Sequence, residues 1–359
     1  MKKQRKLISF EDDEKQLYNA FEQYYLGFRS SMFVCEDTIT NEKEAYEALL
    51  EYRKACVHSA MAYMKNQIDL KPSLPVDFMW IAREAIVNTL KKKFPKVETI
   101  KLQLSMKPRL SARTVDGNVI VFPALTRAVL LHCNLTIINS TSDVLGEDGQ
   151  FLEEIDRKQI ARFIFPYLLY CHDEFSVRNL PIIGGRSQND IQTAFHFTNL
   201  QLIFIFAHEY AHILLNHFND SRDNLLKENE ADSFALAVIL DYIKKDNSYS
   251  LHDVLAAIRW LFKFQLLEES IGTLSQGKTI DYFASNFEKR RSQFQTELFD
   301  NTELIGSTLF ESAGFCAIVE LQDILYESGL ELVNNMIEIF HKSEETGGVE
   351  PWWEKITQK

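Results

Sequence analysis

The sequence contains no run of 18 apolar residues, which leaves no candidate for a membrane-spanning helix. It has no C-x-x-C pair, and its five cysteines, Cys35, Cys56, Cys133, Cys171 and Cys316, are scattered and odd in number. They read as reduced, mostly packed thiols in a cytoplasmic protein. A basic excess is missing too. Lys and Arg number 39 against 51 Asp and Glu, a net charge of −12, which argues against general nucleic-acid binding. No export signal is expected, because the basic start Met1 to Lys6 leads into residues too polar for a signal-peptide core. In a cytoplasmic reading the sequons at Asn134 and Asn139 carry no weight. What remains, 46% hydrophobic and 25% charged over 359 residues, is a globular chain with a substantial core, in one large domain or two modest ones.

Proline and glycine are also absent from the stretch that carries the chemistry, Leu200 to Phe218. This stretch is long enough for about five helical turns. It holds His208, Glu209 and His212 as H-E-x-x-H. On a helix the two histidines share a face, so both imidazoles can reach one metal ion. Glu209, one step round, is close enough to take a proton from a water the ion polarises. After a polar break, Phe218 to Asn224, a second helical stretch begins at Lys227. On it Glu228, Ala231, Asp232 and Ala235 share a face. The alanines allow close approach to the first helix, Glu228 is placed to complete a His-His-Glu zinc site, and Asp232 is placed to orient a ligand histidine. Glu230 lies about 200° round from Glu228 and is expected to pack or to meet solvent.

Elsewhere the apolar spacing predicts helices at 11–30, 42–66, 76–94, 153–170, 251–271 and 281–299, a short helix at 125–131, and two helices within 302–341. Period-two alternation predicts a strand at 99–105 and a hairpin pairing 112–115 with 119–122 around Asp116-Gly117-Asn118, with a further strand at 134–139. An irregular loop from Leu180 enters the motif region, flanked by His172 and His196, each most simply a surface or packed residue. Trp352 and Trp353 are expected to anchor the tail.

H-E-x-x-H followed by E-x-x-A-D resembles the pattern of gluzincin metallopeptidases, most closely the group containing HtpX and the CAAX-prenyl endopeptidases. His217, nine residues after His208, occupies the place of a further histidine common in that group. The hairpin Ser111 to Pro123 resembles the one upstream of the group's motif. The resemblance spans Leu102 to Tyr242. Two departures are the long separation of hairpin and motif, about 85 residues, and the lack of membrane spans. They point to a soluble relative, loosely like the phage-exclusion peptidase Lit and other bacterial host-defence proteases. The resemblance implies an edge strand above the metal helix, assigned to Val119–Phe122, and a late residue that polarises the substrate carbonyl, with Arg290, Arg291 and Tyr282 as candidates.

The reading is therefore an α+β, mainly α chain: a zincin-like core with a small mixed sheet over residues 96–245, and helical regions at 1–95 and 246–359. Zinc is held by His208, His212 and Glu228, Glu209 is the general base, Asp232 supports a ligand, and the substrate is a protein or peptide. The alternative is a regulatory or interaction protein on a zincin scaffold with little turnover; an intact Glu209 speaks for catalysis. A purely structural zinc site fits poorly, because such sites are closed by four ligands rich in cysteine and His217 would point away from the metal face of a continuing helix.

Overall fold

The computed structural model describes residues 78–105, 109–115, 117–123, 126–142, 157–172, 188–245, 249–281, 285–301 and 309–346. The helices expected at 11–30 and 42–66, residues 180–187 of the loop expected from Leu180 to Asp190, Tyr282 and the paired tryptophans lie outside them, while residues 188–190 of that loop are helical. Eight helices are described: α1 Phe78–Leu90, α2 Thr126–Ser142, α3 Arg157–Tyr170, α4 Gln188–Leu214, α5 Asn224–Ile243, α6 Leu251–Leu274, α7 Asn286–Asn301 and α8 Leu309–Thr346. Three strands, β1 Lys101–Ser105, β2 Arg113–Val115 and β3 Val119–Pro123, form one mixed sheet in the order β1-β3-β2. This is the mainly helical α+β architecture that the periodicities imply. No described helix is long and apolar enough to cross a membrane.

Helix α4 is the centre of the molecule, and every residue from Phe197 to Ala211 is buried. A helix apolar all round has no solvent face to offer and is stable only when surrounded. Here α1, α2, α5 and α6 pack around it. Phe206 stacks on Phe122 of β3 at 4.3 Å, and Phe204 and Phe197 meet Phe262 and Trp260 of α6 edge-on. Two of the polar side chains that enter this core pair with each other. Asn134 donates to Thr198 and Gln201, and Gln201 donates to the Ala257 carbonyl. The sequon residue Asn134 is thus a core hydrogen-bonding group.

Helix α5 starts on the Asp223 side chain, which accepts from the Leu225 amide. It lies against α4 with Ala231 and Ala235 fully buried. The following helix begins with a reciprocal cap between Ser250 and Asp253.

Three expectations are corrected. Residues 125–131 and 134–139 are not a short helix followed by a strand; Thr126 to Ser142 is one helix. Burial decides this against the β-branched composition, and the Thr136 and Thr141 hydroxyls donate to carbonyls four residues back. Residues 309–346 form a single helix where two were expected within 302–341. Its glycines mark close approach, because a Cβ on Gly314 would lie 2.0 Å from Trp260 and one on Gly329 would lie 2.7 Å from Leu274.

The third correction concerns the cleft. Val119–Pro123 is the central strand, pairing in parallel with β1 and antiparallel with β2. The edge strand beside α4 is Arg113–Val115, reached through a turn at Gly117, whose φ of +64° suits glycine. Alternation marks a strand but does not say which neighbours it acquires.

Candidate metal centre

Four residues apart on α4, His208 and His212 bring their Nε2 atoms to 3.0 Å of each other. The first turns of α5 carry Glu228 to the same point. Its Oε2 lies 3.2 Å from His208 Nε2 and its Oε1 3.5 Å from His212 Nε2. One donor atom from each of the three lies within 4.8 Å of the others. Two imidazoles and a carboxylate facing one point are the donor types of an open zinc site, so the residues present fit such an ion.

A layer of partners surrounds this set. His208 Nδ1 is 2.8 Å from Asp232 Oδ1. Arg290 of α7 donates to both oxygens of Asp232, at 2.7 and 2.8 Å, and reaches Glu228 Oε2 at 3.3 Å. Asp232 and Arg290 are both buried. Glu209 points to the sheet side, where the Thr114 hydroxyl of β2 donates to its Oε2 at 2.7 Å. Behind His212, His217 Nδ1 lies 2.9 Å from His212 Nδ1. On its other side His217 meets Glu230 at 3.2 Å. Glu230 is half exposed and ion-paired with Arg222 at 2.5 Å.

These contacts set the charges. Burial opposes a proton on His208, but the Asp232 carboxylate and its hydrogen bonds outweigh burial and raise His208 to about 9. His212 is driven down to about 4 by burial and by the neighbouring His208 charge. Burial also works against ionised Glu228 and Asp232, yet His208 and Arg290 hold both carboxyls at about 2. Glu209 moves the other way. Burial raises it above the usual carboxylate range, with His208 and Thr114 opposing. A carboxylate raised in this way is a better proton acceptor than a free surface glutamate.

The group opens into a cleft of about 380 Å³. Its walls include Ala112, Arg113 and Thr114 of the edge-strand segment and the rings of Phe204, Phe218 and Phe287. Of the other singled-out residues, His172 lies against Arg109 and Glu268, and His196 is exposed and edge-on to Tyr249. Arg291 is taken up by Glu288. Sequence reasoning missed the roles of Thr114 and His217 here, and it cast Arg290 as a carbonyl contact where the structure turns its nitrogens to two carboxylates. Thr114 and Arg290 carry no local signal, lying 95 and 58 residues from their partners.

No curated protein and no solved structure matches the chain. The family model described as Peptidase U49 matches residues 181–285, the span that holds both motif helices and less than half of the chain. Over that span the chain is similar to a peptidase family, and the match supports a peptidase.

Proposed function

We propose that the chain is a zinc-dependent peptidase of the gluzincin type, with His208, His212 and Glu228 as the metal ligands and Glu209 as the general base. The observation that carries this is the convergence of the three donor groups beside Glu209 in one cleft. When bound, a zinc ion would supply an acidified water and a positive charge for the oxyanion. Everything else falls to the chain. Asp232 holds the His208 ring by its Nδ1, leaving Nε2 turned to the cleft. Arg290 and His208 together keep Asp232 and Glu228 ionised. Thr114 aims the Glu209 carboxylate, which accepts the water proton at Oε1 or Oε2 and returns it to the leaving amine. Among the described residues the outer edge of β2 pairs with no strand, so it offers main-chain groups beside the cleft, where an extended peptide would add as a further strand.

Purified protein should carry about one zinc per chain. Glu209→Gln should keep zinc and fold while losing peptide hydrolysis by about two orders of magnitude or more, because Gln keeps the volume but cannot act as a base. Metal analysis and a peptide-cleavage assay check both. A folded, metal-free and active protein, or a Glu209→Gln variant cleaving at the wild-type rate, would defeat the assignment.

A further inference from the structure

We infer that His217 is a positioning residue: backed by Glu230, it fixes the tautomer of His212 so that the Nε2 lone pair faces the donor group. The inference rests on the metal-site reading for its purpose, but its geometry is independent of any ion. Five positions after His212 on a continuing helix, His217 would be turned about 140° away. The helix stops instead at Leu214, and Asn216 adopts a left-handed φ of 61°. That turn folds the chain back and buries His217 against the outer edge of His212.

The proton positions then follow one from another. Glu230, ion-paired with Arg222, is an acceptor only. It lies 3.2 Å from His217 Nε2, so that nitrogen carries the proton and donates. The tautomer with its proton on Nε2 has a lone pair at Nδ1, 2.9 Å from His212 Nδ1. Two Nδ1 atoms at that distance need one donor and one acceptor, so His212 Nδ1–H donates. This leaves His212 Nε2 as a lone pair. That lone pair then points into the donor group, where His212 Nε2 is 3.0 Å from His208 Nε2 and 3.5 Å from a Glu228 oxygen. The two histidines are thus set by different means. His208 is held by a buried carboxylate, and His212 by a second imidazole whose anchor, Glu230, is on the surface. Residues 216–230 therefore link a surface hydrogen-bond acceptor, through His217, to the orientation of one ligand.

The test has two arms. Chelator-treated wild-type protein with 15N-labelled histidine, read by long-range 1H–15N correlation at neutral pH, should show opposite tautomers, protonated at Nδ1 for His212 and at Nε2 for His217. In competition of zinc against a chromogenic chelator, His217→Ala should weaken zinc binding by about 10–100-fold. His217→Asn should recover most of that, because its Oδ1 replaces the lost acceptor; a mere packing role would leave Asn as damaging as Ala. Glu230→Gln, which keeps an acceptor for His217, should stay near wild type. A proton on His212 Nε2, or His217→Ala holding zinc as tightly as wild type, or Asn no better than Ala, overturns the inference. A wild-type chain that takes up no zinc overturns the zinc reading instead, and the tautomer spectrum still decides the role of His217.

Discussion

Replacing Asp232 by Asn should injure the protein in two separable ways. Asp232 accepts from Nε and one Nη of Arg290 and meets the Nδ1 of His208 from a position only 3% exposed. Asn keeps the size and one acceptor but removes the charge. Stranding one member of a buried ion pair costs about 3–5 kcal/mol. Arg290 retains Glu228 at 3.3 Å, so the low end, about 3 kcal/mol, is expected. At about 2.1 cal/mol/K per residue, a 359-residue chain has an unfolding entropy near 0.75 kcal/mol/K, and the melting temperature should fall by about 4 °C. Separately, the loosened His208 should lower zinc affinity by about 10–100-fold, equivalent to about 1.4–2.7 kcal/mol. Adding Arg290→Met removes the stranded cation and keeps a side chain suited to the rings of Phe262 and Phe287, which flank Arg290 at 5.5 and 5.3 Å. The double variant should recover most of the melting temperature without recovering zinc affinity. Calorimetry of metal-free protein and chelator competition measure the two effects. An Asp232→Asn protein that melts and binds zinc as wild type does would refute the reasoning, as would a double variant that regains affinity.

Glu228→Gln should lose zinc to a chelator at a concentration where Glu230→Gln keeps it, since only Glu228 reaches the His208 and His212 Nε2 atoms; the reverse ranking would move the ligand to Glu230. Gly314→Ala should cost about 1–3 kcal/mol in denaturant unfolding, because the added Cβ would lie 2.0 Å from the fully buried Trp260; an unchanged midpoint would mean that α8 can shift freely. The pair His172 and Glu268 should shape the acid limb of stability. Burial lowers His172 from 6.5 to about 4, so the fold loses about 3 kcal/mol as pH falls through that window. Burial raises Glu268 from 4.5 to about 6, so the fold gains about 2 kcal/mol as pH falls through 6 to 4.5, an offset. Glu268→Gln removes the gain and should steepen the loss of stability between pH 6.5 and 4; unfolding titrations at several pH values with the same slope as wild type would contradict this.

The sequence alone determined whatever depends on backbone periodicity. Four residues on a helix put His208 and His212 on one face whatever surrounds them, and the same rule aligned Glu228, Ala231, Asp232 and Ala235. An apolar stretch without Gly or Pro was enough to mark α4 as a buried helix, and a D-G-N turn between alternating runs was enough to mark the hairpin. Tertiary structure decided the rest. Which strand is central depends on the parallel partner at 101–105, a pairing that alternation does not encode. The Thr136-Ile-Ile segment is helical because the core around α4 rewards a helix there, against its local preference. The second layer of the site comes from elements distant in sequence: Thr114 from the sheet and Arg290 from α7. His217 is close in sequence, but a helical wheel turns it away from His212. Only the left-handed Asn216, where helical periodicity stops, brings it back.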